Sequence, residues 1–263
     1  MVTQEQASGI LKAGDAFSFK NISEPHAQAF SKVPEVQVAI QAARESATAA
    51  IRMAYTMNGL RKASNGRDPR GRFTVEAQDC LRSALQFSGA GLDTALKRLV
   101  EEALPLLIDV DENVLKKLQE YSEKMLSDNS GGVNPKQLVQ LLLGAGSSPR
   151  DIMLGRYIYD LRSSSAQSAD RVSELAGACG VTDGVLRKRI ASTKNKNSLL
   201  ERAFTARNQV AHELDVTKPK EAARASLESI RRYRNVDDIV KMCQEMLDVT
   251  QDIVNDVMKR IKV

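Results

Sequence analysis

Two histidines occur in the chain, His26 and His212. His26 follows Pro25 in an irregular stretch and reads as a surface or packing residue, because a lone imidazole without partners is weak chemistry. His212 stands in the string ARNQVAHELD, five positions after Arg207 and one helical turn after Asn208. An imidazole titrates near neutral pH and serves as acid or base. A guanidinium keeps its charge and offers a fork of donors to anionic oxygens. These types at this spacing fit proton transfer beside a negatively charged group. Cys80, Cys179 and Cys243 lie far apart in no metal-ligand spacing, so no metal site is expected and the thiols read as reduced core or surface residues. The stretch GAGSSPR at 144–150 lacks the spacing and the lysine of a phosphate-binding loop, and no cofactor is expected.

The helix that must carry His212 has a marked start. Ser198-Leu199-Leu200-Glu201 is a capping box, in which the serine oxygen accepts the amide of Glu201 and the Glu201 carboxylate returns to the serine amide. A helix is predicted from Leu199 to near Leu214, before the loop at Pro219. At about 100° per residue, Leu199, Ala203, Ala206, Val210 and Leu214 gather on one side, the expected core face, with Arg207 at its edge. Glu201, Thr205, Asn208 and His212 form the opposite stripe. Asn208 and His212 are i and i+4, so their side chains can touch. His212 is thereby expected to face solvent or another chain.

The remaining pattern is helical. Val36, Ile40, Ala43, Ala47, Ile51 and Ala54 make one stripe over 35–62, and its many alanines let a neighbouring backbone approach closely. Residues 75–127 are predicted helical, with Leu81, Leu85, Leu92, Leu96, Leu99 and Val100 buried and with bends or breaks at Gly89, Gly91 and Pro105. Loops are expected at 65–72 and 129–135, short helices at 135–143, 150–161, 170–178 and 183–191, and a further helical stretch at 220–233. Asn235 caps a last helix whose apolar positions are Val236, Val240, Cys243, Leu247, Thr250, Val254, Val257 and Ile261. That heptad-like stripe reads as a core-facing helix, with a dimerisation seam as the alternative. Residues 1–34, with a short helix at 4–12, read as an N-terminal extension or arm, and 35–263 as one helical domain. The predicted fold class is all-α, an antiparallel helical bundle.

Composition agrees. Of 263 residues, 42% are hydrophobic, 27% charged and 4% aromatic, which excludes wholesale disorder and a disulfide scaffold and disfavours a sandwich or barrel. The excess of 38 Lys+Arg over 33 Asp+Glu is mild and permits a polyanionic partner. The first ten residues carry no secretory signal pattern, and no apolar run would span a bilayer, so a cytoplasmic protein without membrane contact is expected.

The motif residues Arg207, Asn208 and His212 resemble the signature of the HEPN superfamily, an arginine followed by a polar residue and then a histidine four to six positions on. The motif's place late in the chain, the proline-containing loop after it and the long terminal helix are similar too, and the nearest group is the RiboL-PSP-like prokaryotic HEPN proteins. Leu214, in place of tyrosine two residues after His212, argues against the antitoxin-regulated subgroup whose motif ends in tyrosine. The resemblance implies an all-α HEPN-like fold and a metal-independent endoribonuclease with a composite site at a homodimer interface. It further implies a 2′,3′-cyclic phosphate product, Asn208 orienting the imidazole or contacting RNA, and a toxin or antiviral defence role with a possible regulatory protein partner.

Basic clusters support an RNA substrate. Arg187, Lys188, Arg189, Lys194 and Lys196 precede the motif helix and are the expected RNA-binding residues. Arg61, Lys62, Arg67, Arg70 and Arg72 crowd one loop, and Arg231, Arg232 and Arg234 follow the motif. A non-catalytic HEPN-like adaptor that binds RNA or a partner protein is the competing expectation, and a plain helical scaffold a third.

Overall fold

The computed structural model describes residues 17–19, 31–65, 72–127, 134–143, 148–221 and 227–261. The expected helix at 4–12, His26, Arg67, Arg70 and the centres of both predicted loops lie outside them. Among the described residues the chain is all-helical, with no strand, and Val216 and Arg231 form an isolated bridge.

Two long helices form the frame, α1 (Pro34–Asn65) and α2 (Val75–Leu107). Thr74 caps α2 by accepting the Ala77 amide at 3.1 Å. The Glu102 carboxylate accepts the Glu35 and Val36 amides at 3.3 Å each and so caps α1 from across the interface. Glu35 meets Glu102, Ala43 meets Gly91, and Met57 meets Cys80, so the two helices run antiparallel along most of their length. A Cβ on Gly91 would collide with the Cβ of Ala43, which is the close approach that the alanine stripe allows. The predicted break within α2 does not occur. Each glycine costs a helix about 1 kcal/mol, which burial of Leu81, Leu85, Leu92, Leu96 and Leu99 outweighs. Pro105 falls in the last turn, where the helix is about to stop in any case. The chain turns at 108–111 into α3 (Glu112–Leu126), capped by Asp111.

Shorter helices follow: α4 (Pro135–Leu142), α5 (Pro149–Ser163), α6 (Ala169–Ala178) and α7 (Gly184–Ile190). They lead into α8 (Leu199–Glu213), a 3-10 turn (Pro219–Glu221), the single turn α9 (Leu227–Ile230) and α10 (Val236–Met258). α2 is central and packs on α1, α5, α6, α8 and α10. α10 runs parallel to α2, since Gln78 contacts Arg234 near one end and Ser88 lies beside Cys243 further along. Its stripe of Cys243, Leu247, Val254 and Val257 is buried against this chain's own helices, so the dimer-seam alternative does not hold for it. The predicted helix at 220–233 is also corrected. Beyond Ile230 the backbone is extended, because the Arg232 amide donates to Asp215 O (2.8 Å) and the Arg234 amide to Gln78 Oε1 (2.7 Å) instead of to a helical carbonyl. From the N-terminal stretch, Phe19 is buried and the Phe17 carbonyl accepts Arg52 Nε at 2.7 Å, so this much of it packs on α1. No described helix is long and apolar enough to cross a membrane.

Candidate active site

The start of α8 is held more firmly than a capping box requires. The Ser198 hydroxyl accepts the Glu201 amide at 3.2 Å and the Glu201 carboxylate accepts the Ser198 amide at 2.9 Å. The same carboxylate accepts the Thr193 hydroxyl at 2.6 Å and the Thr193 amide at 2.9 Å. The Thr193 hydroxyl and the other donors around it hold the Glu201 carboxyl down at about 2. Glu201 is therefore buried under the loop it clips, and the expectation that it lies on an open outward stripe is corrected.

The core face of α8 also differs from expectation. Ala203, Ala206 and Val210 are buried as predicted, but Leu200 and Phe204 join them, Leu199 is half-buried and Leu214 is 65% exposed. The cause is that α8 lies against both α2 and α10, so its buried arc is wide, and that the helix ends at Glu213. Leu214 and Asp215 then adopt left-handed backbone, with φ of 51° and 62°.

Arg207 leans toward α2. Its stem lies over Gly89, where an added Cβ would come within 3.2 Å of Arg207 Cγ. Gln86 Nε2 donates to the Arg207 carbonyl at 3.0 Å, fixing the backbone at this point. One guanidinium nitrogen donates to Asn208 Oδ1 at 3.2 Å, while Arg207 Nε is buried with no hydrogen-bond partner. Burial lowers the affinity of this guanidinium for its proton, and the charge of Asp93 opposes that. Among the described residues no carboxylate is hydrogen-bonded to it. Asp93 is occupied by Lys97 Nζ (3.0 Å) and the Ala166 amide (2.6 Å). Asn208 is half-buried and His212, one turn further on, is exposed.

Beneath this helix end sits a network the sequence did not disclose. The side chain of Asp215 is 0% exposed and receives Arg82 Nε at 2.9 Å and two nitrogens of Arg234, at 3.0 and 2.5 Å. Arg234 also donates to Gln209 Oε1 at 3.0 Å, and Arg82 to Asp79 Oδ1 at 2.9 Å. Burial would push the Asp215 carboxyl up, but the hydrogen bonds and charges of Arg234 and Arg82 prevail and hold it below the usual carboxylate range. Arg231 donates to the Leu214 carbonyl at 3.0 Å and pairs with Asp79 at 2.8 Å. Asp215 is 133 positions from Arg82, and no local pattern announces such a pair. Beside the network, Phe87 and Leu214 flank a shallow pocket of about 300 Å³ that also takes in Val210, Gln86 and Arg231.

The basic residues ahead of α8 divide. Arg189 is committed to α10, with two bonds to Glu245 (2.8 and 2.7 Å) and one to Asp252 (2.8 Å). Arg187, Lys188, Lys194 and Lys196 are exposed. The Cys179 and Cys243 thiols are buried, and burial pushes both up to about 12, which makes them inert packing groups. No cluster of metal-ligating side chains occurs among the described residues. In comparisons with family models, curated proteins and solved structures, none matches this chain.

Proposed function

We propose that the chain is a metal-independent endoribonuclease of HEPN type, with a composite site built from Arg207, Asn208 and His212 of two copies. The observation that carries this reading is the state of Arg207. Its charge is partly desolvated and steadied by a neutral amide, it has no carboxylate hydrogen-bonded to it among the described residues, and the same helix carries an exposed imidazole. A partly desolvated cation with no directly bonded counter-ion is stabilised when an anion arrives, and a phosphodiester is such an anion. His212 of one copy takes the proton of a ribose 2′-OH, whose oxygen attacks the adjacent phosphorus. The two Arg207 guanidiniums stabilise the charge on the phosphorane oxygens, and the second His212 protonates the departing 5′-oxygen. The products are a 2′,3′-cyclic phosphate and a 5′-hydroxyl. One Arg and one His make half of this site, and an isologous dimer supplies the rest. Phe87, 43% exposed, and Leu214 offer apolar surface next to the motif where a second copy would seat. A toxin or antiviral defence role, under control of a partner protein, suits such an enzyme.

The test is cleavage of RNA in EDTA, with sedimentation to follow the dimer. Both Arg207→Ala and His212→Ala should lose cleavage by at least about a hundredfold while remaining dimeric. Cleavage that survives in His212→Ala defeats the proposal, and RNA binding without cleavage by the unaltered chain supports the adaptor reading instead.

A further inference from the structure

The α6–α7 unit lies outside the proposed nuclease site and has a geometry of its own. α6 ends in a Schellman turn: the Val181 amide donates to the Ala176 carbonyl and the Gly180 amide to the Gly177 carbonyl, both at 3.0 Å. Gly180 has φ of 71°, and a Cβ there would meet Arg260, Val114 Cγ2 (2.8 Å) and Asp111 Oδ2 (3.0 Å), so glycine alone fits. Three residues later Asp183 caps α7 by accepting the Leu186 amide at 2.7 Å. Val172, Leu175, Ala176, Val181, Leu186 and Ile190 are buried between the two helices and the body. The Ser173 hydroxyl donates to the Ile190 carbonyl at 3.0 Å and fixes the end of α7 against α6.

Two short helices joined by a tight glycine turn, with an apolar elbow and a rigid second helix, are the form of a helix-turn-helix. In that form the second helix enters the major groove of duplex DNA. Here the second helix has two unlike faces. Arg189 is spent on Glu245 and Asp252, and that side of α7 borders acidic α10. The other side presents Arg187 and Lys188, which rim an open groove of about 470 Å³ lined also by Ser173, Gly177, Gly184 and Ala191. Its lining is small and apolar residues together with these two cations, whose charge suits a phosphate backbone approaching the helix. Lys194 and Lys196, exposed in the next loop, extend the positive edge. The nearby acids are locally engaged, Glu174 with Arg171 and Asp183 in its cap.

We propose that residues 169–190 are a DNA-binding helix-turn-helix, with Arg187 and Lys188 contacting the major-groove face of a duplex. A-form RNA, whose major groove is deep and narrow, does not admit such a helix. The inference does not depend on the nuclease reading, because it is tested by binding alone. Fluorescence anisotropy of the full chain with a labelled random-sequence 24-base-pair DNA, at several salt concentrations, measures it. Arg187→Ala combined with Lys188→Ala should weaken binding roughly tenfold or more and reduce the salt slope by about two. Exposed side chains of this kind leave folding intact, which thermal melting verifies. Lys116→Ala with Lys124→Ala, exposed on α3, is the charge-matched control and should bind as the unaltered chain does. Equal loss in the control, no loss in the Arg187/Lys188 pair, or an equal loss of affinity for an RNA duplex of the same sequence in that pair would overturn the proposal.

Discussion

Arg82 donates to Asp215 across 2.9 Å at a point where both side chains are closed off from water. Arg82 belongs to the central helix α2, and Asp215 to the left-handed turn that ends α8. One charge pair therefore ties the end of the motif helix to the middle of the bundle, and Arg234 closes it from a third segment.

Among the described residues, removing the shared carboxylate leaves the buried Arg234 guanidinium with only the neutral Gln209 and a backbone carbonyl, and Arg82 with Asp79 as its remaining carboxylate. Asp215→Ala is expected to cost about 3–5 kcal/mol, the usual price of stranding a buried charge. Urea unfolding followed by circular dichroism measures this. A cost below about 1 kcal/mol would show that water or rearrangement replaces Asp215 easily.

Gly89→Ala separates stability from site geometry. Alanine favours the helix by about 1 kcal/mol over glycine. The new Cβ, 3.2 Å from Arg207 Cγ, pushes the arginine stem away by a few tenths of an ångström. The melting temperature should hold or rise while RNA cleavage drops roughly tenfold, because small displacements of a charge-stabilising group are costly. Unchanged cleavage would mean that the position of the guanidinium is unimportant.

Leu214→Gly relieves left-handed strain and removes an exposed apolar side chain in one step. The folded monomer should gain about 0.5–1 kcal/mol, since a β-carbon at this φ is unfavourable. Self-association, read by sedimentation, should weaken if a second copy seats beside the motif. A dimer that is unaffected would move the interface elsewhere.

The Glu201 clip makes a pH-dependent contribution. Its folded value, about 2, lies below the ordinary 4.5, so the clip stabilises fully above the ordinary value and fades as pH falls toward 2. Asp215, also held low, acts in the same direction. Glu201→Gln should therefore melt below the unaltered chain at pH 7, and the gap should narrow between pH 4.5 and 2. A gap constant across that range would sink this account.

The cap and extent of α8 were legible because Ser198 and Glu201 act across three residues, and local hydrogen bonds leave local patterns. The alanine stripe of α1 and the stripe of α10 were legible for the same reason, since helical periodicity repeats within one segment. Leu214 was misplaced because periodicity assumes that the helix continues, whereas the chain turns left-handed there to deliver Asp215. Gly89 and Gly91 were expected to break α2, yet each marks a place where another element comes close, Arg207 in one case and Ala43 in the other. The Gly180 turn between α6 and α7 left a short-range signal in Ala176, Gly180, Leu186 and Ile190 that periodicity by itself passes over.

Sequence alone determined the all-helical class, the helix bearing Arg207, Asn208 and His212, and the outward aspect of His212, because each follows from hydrogen bonds and faces within a few turns of chain. Tertiary structure alone decided that Arg189 belongs to α10, that Glu201 lies beneath a loop, and that Arg82, Asp215 and Arg234 share one buried charge centre. Those outcomes depend on which distant charges meet when water is excluded, and a linear pattern carries no record of that meeting.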